Sequence, residues 1–107
     1  MSYDYRVTVV RVVDGDTVDA DVDAGFYLTL RVRFRILGVD TPERGQPGWA
    51  EATAFTREWV FAHPQLRAAT AKTDSFGRWL ADLYAVTPTR TPHLATELIA
   101  AGHGIPR

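Results

Sequence analysis

Between Thr17 and Ile36 apolar and polar positions alternate with a period of two, interrupted around Gly25. Tyr5–Val13 is β-branched and poor in helix formers, which predicts a first strand. Asp14-Gly15 is a turn dipeptide flanked by apolar alternation, the short-range mark of a hairpin. In Thr17–Asp23, Val18, Ala20 and Val22 fall on one face and Thr17, Asp19, Asp21 and Asp23 on the other. Leu28–Ile36 repeats the pattern, with Leu28, Leu30, Val32, Phe34 and Ile36 inward and Thr29, Arg31, Arg33 and Arg35 outward.

After Ile36 the pattern changes. Residues 38–48 (GVDTPERGQPG) are rich in Gly and Pro and predict a loop. Trp49–Ala62 has helical spacing, with Trp49, Ala52, Thr56, Trp59 and Val60 near one face, and His63-Pro64 stops it. Leu66–Lys72 and Trp79–Val86 predict a second hairpin around residues 74–77. Thr91-Pro92 is a candidate N-cap and first helical position for a short helix. Its apolar face is Leu94, Leu98 and Ala101, and Gly102 ends it. The expected fold is mainly β with two or three helices (α+β): a five-stranded OB-fold Greek-key barrel with a helix after its third strand. The expected organisation is a single domain over residues 1–107.

Charge adds a second layer. The total is −1, from 12 basic and 13 acidic residues, which is not the strongly basic balance of a protein held to nucleic acid by bulk charge. The charge is segregated, however: residues 1–30 carry net −4 and residues 31–44 net +2. A hairpin register setting Asp21 opposite Arg31 and Asp19 opposite Arg33 absorbs most of this, and leaves Arg35 facing Thr17 with no carboxylate directly across. With no cysteine, disulfide scaffolds and cysteine–zinc sites are excluded. No apolar run reaches membrane-span length, so no membrane association is expected. No secretory signal is visible in Met1–Val10, so a cytoplasmic location is expected.

The candidate chemistry is acidic. Asp19, Asp21 and Asp23 do not open an EF-hand, because Ala24 and Leu30 stand where Gly and a bidentate Glu are needed. His63, His93 and His103 have no metal-ligand spacing, and His63 and His103, each near a helix end, read as surface or cap residues. Asp16 shares the inward face with Val18 and Ala20, where a carboxylate is costly unless paired or bound to a cation. Asp40-Thr41-Pro42-Glu43 is a second acidic group; Asp40 suits either an Asx-turn or a site. Arg78 follows Phe76-Gly77 in the second hairpin turn, where a surface arginine is equally natural. Alternation alone does not bring Asp16 and Arg35 together; a bulge or a barrel bend is needed.

Three segments in this order and spacing resemble the thermonuclease (staphylococcal nuclease-like) family: residues 13–18 (VDGDTV), 34–43 (FRILGVDTPE) and 74–81 (DSFGRWLA). Smaller echoes are GWAEA at 48–52 and LIAAG at 98–102, so the resemblance runs from about Val7 to Gly104. It implies an OB-type barrel and Ca²⁺-dependent hydrolysis of phosphodiester bonds in DNA, RNA or both. Carried over by motif, Asp16, Asp40 and the Thr41 carbonyl would hold the ion, and Glu43 would orient or deprotonate water. Arg35 and Arg78 would clamp the phosphate. Oxygen-only donors suit Ca²⁺ or Mg²⁺, and neutralising the phosphodiester before attack is what such a site must do.

Two departures accompany the resemblance. Ser75 and Phe76 stand where the family usually has Lys and Tyr, so Phe76 can stack on a base but offers no hydroxyl to a phosphate. The chain also stops short of the family's usual C-terminal extension, so either the barrel stands alone or a partner subunit covers that face. The rival from another class is a non-catalytic OB module binding single-stranded nucleic acid through Phe76, Arg35 and Arg78. Because three acids belong to the implied site, a near-neutral total is compatible with nuclease chemistry. It predicts weak, metal-dependent binding with a shallow salt dependence.

Overall fold

The computed structural model describes residues 3–73 and 77–107. Its elements are β1 (Tyr3–Asp14), β2 (Thr17–Asp23), β3 (Thr29–Ile36), β4 (Val39–Asp40), α1 (Trp49–Ala62), β5 (Leu66–Thr73), β6 (Trp79–Ala85), α2 (Leu94–Ala100) and β7 (Ile105–Pro106). Five strands close into a barrel in the order β1-β2-β3-β6-β5. Neighbours are antiparallel except β3 and β6, which run parallel, with α1 between the third and fourth barrel strands. That is the OB-type arrangement the element order predicted. Among the described residues no helix is long and apolar enough to cross a membrane.

The β2–β3 register is the one the charges predicted: Thr17 opposite Arg35, Asp19 opposite Arg33 and Asp21 opposite Arg31. Arg33 grips Asp19 bidentately, Nε to Oδ1 at 2.7 Å and Nη2 to Oδ2 at 3.0 Å. Arg31 does the same to Asp21. The hydrogen bond from Arg33 holds the Asp19 carboxyl below its ordinary 3.8. A carboxyl depressed in the folded state stabilises the fold above its unfolded pKa, and that contribution is lost as pH falls through the folded one. Asp19→Asn is therefore expected to melt below the parent at neutral pH, with the gap closing in acid. A gap constant across the titration would remove the pairing as its cause.

The core holds Val18, Phe34, Ile36, Val39, Leu83, Leu94 and Leu98, all essentially inaccessible. Leu28 and Leu30, expected inward, are 57% and 55% exposed. The reason is geometric: β6 pairs with β3 only along Phe34–Ile36, so the start of β3, and Leu28 just before it, run beyond the closed part of the barrel. The Thr91-Pro92 start of the second helix also needs correction. Residues 91–92 stay outside the helix, with the Pro92 carbonyl accepting from the Ala85 amide at 2.9 Å. His93 is the N-cap residue, fixed by Asp82 at 2.8 Å and stacked on Tyr84. Ala101, assigned to the apolar face, is the exposed C-cap residue. Gly102 ends the helix as predicted, at φ 80, with the His103 amide bonded to the Leu98 carbonyl at 2.9 Å.

Candidate active site

The site forms where the β1–β2 turn meets the end of β3. Register shifts within β1, the second between Val12 and Asp14, bend the strand into this turn and supply the irregularity that alternation lacked. Gly15 lies beneath Thr41 and Ala52; a Cβ there would meet Thr41 Oγ1 and Cγ2 at 3.0 Å. Helix α1 pins the turn from below, with Thr56 Oγ1 donating to the Gly15 carbonyl at 2.7 Å and Trp49 Nε1 to Asp14 Oδ1 at 2.6 Å. The Ile36 amide donates to the Asp16 carbonyl at 2.8 Å, which extends the β2–β3 ladder by one position and brings Asp16 beside Arg35.

Arg35 is 5% exposed, not outward like Arg31 and Arg33. The chain turns back through Gly38, at φ 87, so that β4 passes alongside the guanidinium. Nη1 donates to the carbonyls of Ile36 (2.7 Å) and Val39 (2.9 Å). Nη2 is paired with both Asp40 Oδ1 and, at 3.2 Å, Asp16 Oδ2. The hairpin register places no carboxylate directly across from Arg35, yet two reach it, one from the turn before β2 and one from β4. Asp16, 7% exposed, also accepts from the Thr41 amide at 3.0 Å and the Thr17 hydroxyl at 3.2 Å. Its burial is thus fully compensated, as a buried charge requires.

Asp40, Thr41 and Glu43 line an open cleft of about 550 Å³, with Pro42, Gln46, Pro47 and Gly48 on one wall and Gly102–Ile105 on the other. Glu43 is exposed, its backbone fixed by reciprocal bonds with Gln46: the Glu43 amide to Gln46 Oε1 at 2.8 Å and the Gln46 amide to the Glu43 carbonyl at 2.9 Å. Arg78 is half-buried outside this lining, just before β6 and two residues from Leu80, the ladder partner of Arg35. Phe76 lies outside the described residues. Of the predicted set, the fold therefore gathers Asp16, Arg35, Asp40, Thr41 and Glu43.

Three residues outside the predicted set also take part. Arg107 Nη1 donates to Asp40 Oδ1 at 3.2 Å, and His103 lines the cleft with its ring on Phe55. Gly104 permits both: a Cβ there would lie 2.5 Å from Val39 Cγ2 and 3.0 Å from the Asp40 carbonyl. Gly104 has no positive φ to require a glycine, so it is the close docking of β7 on β4 that does.

The donor set has the chemistry of a hard-cation site. Two carboxylates meet around one positive nitrogen, and the Thr41 carbonyl belongs to the same turn of chain, an oxygen-only set that suits Ca²⁺ or Mg²⁺. The Thr41 hydroxyl is buried with no hydrogen-bond partner among the described residues. No cluster of three or more His, Asp or Glu poised for a metal occurs among those residues, so solvent would have to complete any coordination shell. The residues fit such an ion as a partial shell that the Arg35 guanidinium now neutralises.

Comparison with known proteins agrees with the fold and the motifs. The family described as "Staphylococcal nuclease homologue" matches residues 33–105. The chain is 32% identical over 95 residues to a micrococcal nuclease of Shigella flexneri, covering 89% of this chain and 50% of that protein. It is 29% identical over 126 aligned positions to the uncharacterized protein MJ1439 of Methanocaldococcus jannaschii, covering 92% and 58%. The chain thus spans about half the length of the curated relatives it matches. With a family match over most of its length and the barrel that the motifs implied, the chain belongs to the staphylococcal nuclease homologue family.

Proposed function

We propose that this chain is a Ca²⁺-dependent nuclease that hydrolyses phosphodiester bonds in DNA, RNA or both. The observation that carries the reading is the meeting of Asp16 and Asp40 on Arg35 at the edge of a solvent-open cleft that also presents Glu43. Asp16, Asp40 and the Thr41 carbonyl would hold the ion, which supplies charge neutralisation of the phosphodiester. Glu43 faces solvent at the cleft and orients or deprotonates the attacking water. Arg35 can turn Nη2 toward a phosphate oxygen once its two carboxylates have another cation. Arg78 would contribute the second guanidinium, and Phe76 a stacking surface for a base.

The test is digestion of plasmid and single-stranded DNA by the pure protein, in Ca²⁺ and in chelator, with the melting temperature followed in both. Cleavage and an upward thermal shift are expected with Ca²⁺, both abolished by chelation. Absence of cleavage in Ca²⁺ would sink the enzyme reading. Oligonucleotide binding without cleavage would replace it by a non-catalytic binding module.

A further inference from the structure

The near-neutral total charge conceals a local excess of cations. Arg31, Arg33, Arg35, Arg67 and Arg107 are each paired with carboxylates. Arg11, Arg44 and Arg57 form no ion pair among the described residues, and all three line one groove of about 510 Å³ between β1 and α1. Arg11 stands opposite Asp19 and helps hold that carboxyl down, but the hydrogen bonds of Asp19 go to Arg33. No carboxylate lines the groove among the described residues.

The other lining groups are equally specific. Trp49, Thr53, Arg57 and Phe61 recur every fourth residue and so form one stripe along α1. Phe61 is 83% exposed, and the guanidinium of Arg44 lies over the Trp49 ring at 4.9 Å. Thr53 is 3% exposed with a hydroxyl that has no hydrogen-bond partner among the described residues. Unpaired guanidinium groups beside an exposed aromatic face match a single nucleic-acid strand, whose phosphates take the charge and whose bases stack. The groove also adjoins the cleft: Arg44 follows Glu43, and Trp49 follows Gly48 of the cleft wall.

We infer that the β1–α1 groove is a second binding site, which holds the phosphodiester backbone of the strand beyond the bond placed at Glu43. This rests on the nuclease reading for its occupant, and it replaces the shallow salt dependence expected from total charge. The test uses a labelled 12-nucleotide single-stranded DNA in chelator, with binding followed by anisotropy against salt. Arg11→Gln/Arg57→Gln is expected to bind about tenfold more weakly at low salt, with a log–log salt slope flatter by about 1.4, since each phosphate contact on a single strand contributes about 0.7. Arg6→Gln/Arg90→Gln removes two exposed arginines outside the groove and is expected to bind like the parent. In Ca²⁺, turnover of a nucleotide p-nitrophenyl phosphodiester, too short to reach the groove, is expected to be unchanged in both variants.

Equal losses in the two double variants, or parental affinity and slope in the groove variant, would overturn the groove. Lack of oligonucleotide binding by the parent would overturn it too. Groove-dependent binding with no ester turnover by the parent would uphold the groove and defeat the nuclease reading. Turnover with groove-independent binding would do the reverse.

Discussion

Arg35→Ala is expected to destabilise the fold by about 3–5 kcal/mol, the usual cost of removing one partner from a buried ion pair. The guanidinium is almost wholly enclosed and uses two nitrogens on four acceptors. Its loss strands the Asp16 carboxylate in the interior and takes a charged donor from the carbonyls of Ile36 and Val39. Urea unfolding measures this directly, and a loss under 1 kcal/mol would show that the ion pair is not what holds β4 against β3. Asp16→Asn in the Arg35→Ala background should recover part of the loss, since it removes the stranded charge. Calcium distinguishes the two roles of the acids. If Asp16 and Asp40 also hold the ion, Ca²⁺ should raise the melting temperature of Arg35→Ala more than that of the parent, in which the ion has to displace a guanidinium.

The hairpin carrying these residues was legible because its charges and its apolar positions obey one period. Alternation fixed which face Asp19, Asp21, Arg31 and Arg33 occupy, and opposite charge then fixed which residue stands across from which. Arg35 broke the rule for a reason that lies outside β3. Its burial follows from the reversal at Gly38 and from β4, and a two-residue strand has no periodicity to read. The same holds for β7, which closes on β4 only because Gly104 has no side chain to obstruct it. The start of α2 was misplaced because Thr91-Pro92 has the local form of a helix start. The tertiary contacts of His93 with Asp82 and Tyr84 instead hold His93 extended, so that the helix starts after it. The arginine groove was invisible for a third reason: Arg11, Arg44 and Arg57 are distant in sequence, and only the packing of α1 on β1 makes their charges add.

Glu43→Gln is expected to reduce the rate of phosphodiester cleavage by about 10²–10⁴, the usual contribution of a positioned acid–base group. This corresponds to about 3–5 kcal/mol of barrier. The substitution keeps the shape and removes the charge. Because the side chain is exposed and its loop is held through backbone bonds to Gln46, the unfolding free energy should stay within about 0.5 kcal/mol of the parent. That separation of effects distinguishes Glu43 from Arg35, whose removal damages the fold itself. Steady-state cleavage of a short oligonucleotide in Ca²⁺, with KM and kcat resolved, is the measurement. The expected signature is a collapse of kcat with KM nearly unchanged, because a group that acts on water adds little to ground-state binding. Retention of more than a third of the parental kcat would remove Glu43 from the chemistry. A rise in KM with kcat intact would instead make it a substrate contact.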